Sequence, residues 1–412
     1  MKNTVRNGVI FNAFSGGINA VQSVIWMMII TRVLGIKEAG IFTIAYATSN
    51  LFLMIGKYGV RNFQVSDVKK CYSWNEYYIS RVITTISMML AIGIYCIYMH
   101  IFGTYSLYKA MVVFLMTLLK AADAYEDVYY GMYQQNGRLD IAGLAMSIRL
   151  GLQLIFLSAC VMFKMNLVVS LIATNLFSWG VLLILLNRCN RFFQFNNSKV
   201  RIGELKNIFR LCAPLFLNGF ISYYVCNLSK YAIDKYMGES AQAYYGFISM
   251  PVFVVYLFTN FIYQPMLKDI SELWVHKEKQ KFLKKISSAL LLIGVISICV
   301  LAGGWLIGIW GLELLYGVEL AEYKTEFLIL LLGSVFYAFS SFFCVLLTVM
   351  RKQKAALYVY LIVFVISKFA TNYLVKNNGI MGASAAYLIT MGIIAVAYFC
   401  IVAIQINKTD TK

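Results

Sequence analysis

Thr117 to Asp140 reads TLLKAADAYEDVYYGMYQQNGRLD, in a chain that is otherwise one apolar run after another. It places Lys120, Asp123, Glu126 and Asp127 inside a segment whose apolar flanks mark it as a membrane helix. Each ionised side chain near a bilayer centre costs about 2.5–3.5 kcal/mol on insertion scales, so four in one span must face the protein interior. With about 100° of turn per residue, Lys120, Asp123, Asp127 and Gln134 fall within about 60° of one another, and Glu126 sits on the flank of that stripe. Such a stripe requires a cavity, or partners on other helices.

Working outward, hydrophobic residues make up 61% of the 412 and charged residues 13%, with three prolines and a mean hydropathy of +0.73. A soluble domain carries roughly 25% charge, so the chain is a polytopic membrane protein. Its net charge of +18 is the excess of Lys and Arg that holds loops on the cytoplasmic side, not a nucleic-acid footprint. The cysteines (Cys71, Cys96, Cys160, Cys189, Cys212, Cys226, Cys299, Cys344, Cys400) stand singly and without C-x-x-C spacing. They read as small buried hydrophobes, neither a disulfide framework nor a metal site. Only two histidines exist, His100 and His276, and they lie in different loops or helix ends, which argues against a zinc hydrolase; no metal or cofactor is expected. MKNTVRNG followed by apolar residues to about Thr31 reads as a signal-anchor first helix.

Windows of about 20 apolar residues place spans near 9–31, 40–60, 80–102, 108–133, 141–163 and 166–187, then 208–230, 244–266, 286–310, 326–350, 356–375 and 380–404. The expected fold is an all-α integral membrane protein of about 12 transmembrane helices in two six-helix lobes. The boundaries are 1–190 for the first lobe, 191–207 for a cytoplasmic linker and 208–412 for the second lobe. With the amino terminus inside, the cytoplasmic segments carry Arg61, Lys70, Arg81, Arg138, the Arg188 to Arg210 group, Lys277 to Lys285 and Arg351 to Lys354. The opposite side keeps Lys37, Lys109, Lys164, Lys230, Lys235, Lys324 and Lys376, so both termini are expected to be cytoplasmic. The longest loops, 188–207, 267–285 and 61–79, are basic connectors suited to the anionic inner leaflet. None has room for a nucleotide site, and no G-x-x-x-x-G-K-[ST] occurs, which excludes a built-in ATPase.

An internal echo supports two lobes. ITRVLGIKEAGIFTIAYA (Ile30 to Ala47) and AIDKYMGESAQAYYGFISM (Ala232 to Met250) each carry a charged residue, then a glycine, a short polar loop and an aromatic next to glycine. An offset of six spans returns the chain to the same side, so the halves read as parallel repeats with a site at their interface.

Ionisable residues within spans are candidates for function by default. Lys120, Asp123, Glu126, Asp127, Arg149 and Lys368 fall well inside, with Arg32, Lys57, Lys230 and Asp234 near span ends. Gln153 gives the Arg149 helix a polar face, and Asp123 or Asp127 is the expected partner of Arg149. The alternative is a static buried pair that fixes packing. Lys368, beside Ser367, Thr371 and Asn372, has no carboxylate in its own helix and reads as a buried cation awaiting an anion. Tyr129, Tyr130, Tyr133, Tyr223, Tyr224, Tyr244 and Tyr245 offer faces and hydroxyls suited to sugar rings. Asn218, Asn227, Asn260 and Gln264 add neutral polar groups.

With these residues in place, the chain resembles the Wzx-type oligosaccharide flippases of bacterial surface polysaccharide synthesis, a branch of the multidrug/oligosaccharidyl-lipid/polysaccharide exporter superfamily. The resemblance rests on Thr31-Arg32-Val33-Leu34-Gly35 with Gly40-Ile41-Phe42, on Arg61 to Asp67 (RNFQVSD), and on the Asp123 to Gln134 run. Pro214-Leu215-Phe216 and Asp234 to Gly238 with Tyr245-Gly246 complete it. It spans most of the chain, and the RNFQVSD stretch looks particularly like O-antigen members.

The resemblance implies two lobes alternating between inward-open and outward-open states in the bacterial cell inner membrane. The implied substrate is an oligosaccharide linked through diphosphate to undecaprenyl, moved from the cytoplasmic to the periplasmic leaflet. A polysaccharide polymerase and a chain-length regulator are the implied partners. Arg32, Lys57, Lys120, Arg149 and Lys368 match by depth the cationic cavity that takes the diphosphate. Asp123, Glu126 and Asp127 depart from an all-positive cavity and serve proton coupling or ion pairing. No covalent bond is broken, so the chain is not expected to be an enzyme. A multidrug or cation antiporter of the same superfamily is the alternative, with the acidic span holding the cation.

Overall fold

The structure, a computed structural model, describes residues 2–67, 70–103, 105–193 and 199–408. The side chains of residues 2–5 and 9 and of several positions from 253 to 268 fall outside that description, Asn260 and Gln264 among them. Among the described residues every regular element is a helix. Nine helical stretches among these residues are long and apolar enough to cross a membrane. One of these, Gln353–Asn407, is two antiparallel arms: Gly379 (φ 57°, ψ −133°) breaks the helix, and Tyr398 OH returns to donate to the Ala356 carbonyl at 3.1 Å. Counting both arms and adding the helices Leu107–Gln135 and Val252–Val275, the spans correspond one to one with the twelve expected from hydropathy.

The chain forms two compact units, Met1–Phe220 and Ile221–Lys412. The first contains α1 (Lys2–Leu34), α2 (Ile36–Lys57), α3 (Val60–Ser66), α4 (Trp74–Ile101), α5 (Leu107–Gln135), α6 (Leu139–Met162), α7 (Leu167–Asn190) and the start of α8 (Ile202–Cys226). α5 is its centre, with α2, α4, α6 and α7 around it. Local chemistry sets the helix starts. Ser73 and Glu76 form a reciprocal capping box at α4, Ser106 caps α5 and Asn166 caps α7. α2 and α3 are one span interrupted at Tyr58 (φ 46°) and Gly59 (φ 70°). A Cβ at residue 59 would lie 2.8 Å from the Leu215 side chain, so Gly59 serves both the left-handed turn and the close approach of α8.

The face of α5 opposite the charged stripe is aromatic. Tyr125 and Tyr129 share a hydroxyl chain with Tyr78, at 3.1 and 3.3 Å, and pack against Trp74 and Trp179. α1 lies along α6, fixed by Trp26 Nε1 donating to the Leu154 carbonyl at 3.3 Å. The helices approach so closely at Gly143 that a Cβ there would lie 2.7 Å from the backbone nitrogen of Asn12, whereas at Gly151 it would meet nothing within 4 Å. Gly143→Ala is therefore expected to destabilise the protein by about 1–3 kcal/mol. Gly151→Ala, which gains helix propensity, is expected to be neutral or stabilising. Thermal unfolding of the two variants in the same detergent checks the contrast.

The loop after α3 closes on Asp67, which accepts from the backbone N–H groups of Cys71 (3.0 Å) and Tyr72 (3.2 Å) and from the Tyr77 hydroxyl (3.0 Å). Partial burial pushes the Asp67 carboxyl up, but these donors outweigh it and hold the group below its ordinary value of 3.8. A depressed folded-state pKa contributes stability that is complete above the unfolded value and is lost as pH falls through the folded one. Asp67→Asn is thus expected to lower the unfolding temperature at pH 7, with the difference shrinking as pH drops below about 4. A thermal series over pH checks this.

The second unit holds the end of α8, α9 (Leu228–Tyr236), α10 (Glu239–Ser249), α11 (Val252–Val275), α12 (Lys279–Gly303), α13 (Ile309–Tyr316), α14 (Lys324–Val349) and α15 (Gln353–Lys408). Its buried polar contacts include Ser229 to the Ala383 carbonyl at 2.8 Å and Thr390 to Ser367 at 3.0 Å, whereas the ion pairs Lys285–Asp269 and Lys281–Glu278 join exposed side chains. The first glycine of each half of the sequence echo precedes a helix, Gly35 before α2 and Gly238 before α10, although only Gly35 has a positive φ. Among the described residues, every fully buried charged side chain belongs to the first unit.

Candidate functional site

The polar stripe of α5 faces inward. Lys120, Asp123, Glu126 and Asp127 are all buried, and beside them lies a small, partly open cavity within the first unit, with about 370 Å³ of empty space once the solvent at its mouth is included. Lys57 from the last turn of α2, Arg61 from α3, Asn19 and Asn50 complete its polar lining.

Behind that lining two ion clusters hold the charges. In the first, Arg149 on α6 is wholly buried and donates to Asp123 Oδ1 (2.5 Å) and to both Glu126 oxygens (2.5 and 2.6 Å). Gln153 Oε1 accepts a further bond at 2.8 Å. Lys120 pairs with Asp123 Oδ2 at 3.0 Å and lies 5.2 Å from the Tyr46 ring centroid; Tyr130 donates to Glu126 at 3.0 Å. Two cations meet two carboxylates, and the cluster is neutral.

The second cluster is not balanced. Arg81 on α4, also wholly buried, pairs with Asp127 Oδ2 at 2.8 Å and donates to the Gly56 carbonyl. Thr84 donates to the same carbonyl at 2.8 Å. That carbonyl is free to accept because α2 breaks at Tyr58 and Gly59, so the break that sets the α2 terminus also docks Arg81 there. Arg61 reaches the other oxygen, Asp127 Oδ1, over a longer 3.5 Å, and also donates to Gln134 Oε1 at 3.1 Å. Here two guanidinium groups share one carboxylate. Together with Lys57, the cavity and its supports carry five cations against three carboxylates, a formal excess of two positive charges. The excess sits on Lys57 and on the Arg61–Asp127–Arg81 group.

Of the residues singled out from sequence, Lys57, Lys120, Arg149, Asp123, Glu126 and Asp127 come together. Arg32 and Lys368 do not join them. Arg32 is exposed at the end of α1. Lys368, expected to be buried, is exposed on the second unit, its Nζ 6.0 Å from the Phe364 ring centroid. The buried face of its helix belongs instead to Ser367 and Thr371. Arg149 takes Asp123 as expected, but its second carboxylate is Glu126, and Asp127 turns to α4 and α3. Arg61, read as a topogenic loop cation, lines the cavity, and Arg81, read in the same way, supports it through Asp127. For Arg81 the signal was present: the Ser73-x-x-Glu76 box starts α4 at Trp74 rather than near residue 80, which places Arg81 two turns inside the helix.

An all-α bundle of long apolar helices with a charged cavity buried in one half defines a multi-pass membrane protein, and solved structures share its fold. A multidrug-resistance MATE family transporter of the MOP superfamily, in an inward-facing conformation, superimposes with a TM-score of 0.73 at 13% identity, covering 95% of this chain and 96% of that one. The lipid II flippase MurJ gives 0.71 at 14% identity, with 96% and 87% covered. The chain belongs to the polysaccharide biosynthesis protein family, whose sequence model matches residues 5–271. It is also 23% identical over 380 residues to the capsular polysaccharide biosynthesis protein CapF of Staphylococcus aureus, covering 90% of this chain and 93% of that one.

Proposed function

We propose that this chain flips an undecaprenyl-diphosphate-linked oligosaccharide, an O-antigen or similar repeat unit, from the cytoplasmic to the periplasmic leaflet of the bacterial inner membrane. The observation that carries the reading is the excess of two positive charges around the first-unit cavity. A diphosphate brings about two negative charges, and moving each outward against a negative interior is favoured by about 2.3 kcal/mol per 100 mV. The membrane potential therefore suffices to drive net flipping. Membership of a polysaccharide biosynthesis family and a fold shared with MurJ, a lipid II flippase, support the same reading.

The pairing of the acids bears on the antiporter alternative. Asp123, Glu126 and Asp127 each bond to at least one buried guanidinium. A lipophilic cation would have to displace an arginine from a low-dielectric site, leaving that charge unpaired at a cost of about 3–5 kcal/mol. This favours ion pairing over cation or proton carriage for the three carboxylates.

Deleting the gene in its host and locating the lipid-linked repeat unit tests the function. Single units inaccessible from the periplasm, restored by the wild-type gene, are the expected result. Units that reach the periplasm unpolymerised, or no accumulation at all, would contradict it.

A further inference from the structure

The two ion clusters differ in one respect that the proposed function leaves unused. Arg149, Lys120, Asp123 and Glu126 neutralise one another, but Asp127 is shared between two arginines that are not equivalent. Arg81 is wholly buried, 2.8 Å from Asp127, and anchored to the Gly56 carbonyl. Arg61 has a side chain 22% exposed, lines the cavity, and holds Asp127 at only 3.5 Å. It stands on α3, immediately beyond the Tyr58–Gly59 break. We infer that Asp127 is the charge-selectivity residue of the cavity: it cancels the fixed charge of Arg81 and lends Arg61 a weak, exchangeable partner, so that the cavity presents two positive charges rather than three. The inference rests on the proposed reading of the cavity as a diphosphate site and adds what sets its preference for a dianion.

The chemistry follows from charge-assisted hydrogen bonding. A guanidinium turns from one carboxylate oxygen to a phosphate oxygen at little cost if the carboxylate keeps another cation. Arg81 is that other cation. When a diphosphate enters, Arg61 leaves Asp127 for the ligand, and Asp127 stays paired through its second oxygen. Without Asp127, Arg81 would also be uncompensated and the cavity would favour ligands of higher charge.

This assigns opposite effects to the two ends of one ion pair. Calorimetry on purified protein in detergent, with inorganic diphosphate and orthophosphate as probes, reads them. Arg61→Gln is expected to weaken diphosphate binding about tenfold. Asp127→Asn is expected to tighten it by a similar factor, about tenfold, and to move orthophosphate less. A pair that serves only to hold α3 against α5 would lose binding in both variants, and that result would overturn the inference. Should Asp127→Asn fail to fold, the double variant Arg81→Gln/Asp127→Asn keeps the excess at two and is expected to bind diphosphate like wild type. Loss of binding there, to the level of Arg61→Gln, overturns the inference equally. Wild-type protein that binds no diphosphate removes the diphosphate reading of the cavity itself, and this inference with it; wild-type binding with an unchanged diphosphate-to-orthophosphate ratio in every variant removes the inference alone.

Discussion

Arg149→Met is expected to cost about 3–5 kcal/mol of stability and to abolish transport. The guanidinium is wholly buried and bonds both Asp123 and Glu126. Removing it leaves Glu126 with the Tyr130 hydroxyl and Asp123 with Lys120. A carboxylate with no cation in a low-dielectric interior is the costly species, more so than the loss of the arginine itself. Arg149→Lys is expected to recover little, because a point charge cannot span two carboxylates as a planar fork does. Adding Glu126→Gln to Arg149→Met is expected to restore part of the stability, since the worst-placed charge goes with its partner. Unfolding temperature and the yield of monodisperse protein for the three variants check this.

Lys57→Gln is expected to leave the fold intact and to lower substrate binding and flipping by about ten- to a hundredfold. That range corresponds to one charge-assisted hydrogen bond of about 1.5–3 kcal/mol. Lys57 lines the cavity from the last turn of α2 and belongs to neither ion cluster, so its removal strands no carboxylate. Arg149 and Lys57 thus separate two kinds of loss. The first variant fails because the scaffold fails, the second because the ligand finds one cation fewer. Transport at fixed amounts of folded protein distinguishes them, and Lys57→Arg is expected to retain most of the activity.

The span count and the inward stripe were legible in the sequence for simple physical reasons. Helices that must cross about 30 Å of hydrocarbon show up as apolar windows, and a cluster of charges within one cannot face lipid. Periodicity alone placed Lys120, Asp123 and Asp127 on one face. What sequence could not give was the tertiary pairing, which depends on which neighbouring helix each side of α5 meets. Glu126, on the flank of the stripe, turned out to meet α6 and share Arg149, while Asp127 met α4. Arg61 and Arg81 were hidden by the same rule that gave the topology, because a cation just beyond an apolar window looks like a loop charge. Lys368 misled in the opposite way: a cation in the middle of a span proved exposed, since depth along a helix says nothing of its direction around it.

The central claim is that the first-unit cavity carries the diphosphate of a lipid-linked sugar across the bilayer. The most direct measurement is reorientation of a polyprenyl-diphosphate sugar in proteoliposomes containing the purified protein, followed by enzymatic access from the outside under an imposed potential. The account predicts protein-dependent flipping that accelerates as the compartment holding the substrate becomes more negative, and that falls about tenfold or more in Lys57→Gln. Flipping that ignores both the potential and Lys57, or transport of lipophilic cations in place of the lipid-linked sugar, would contradict it.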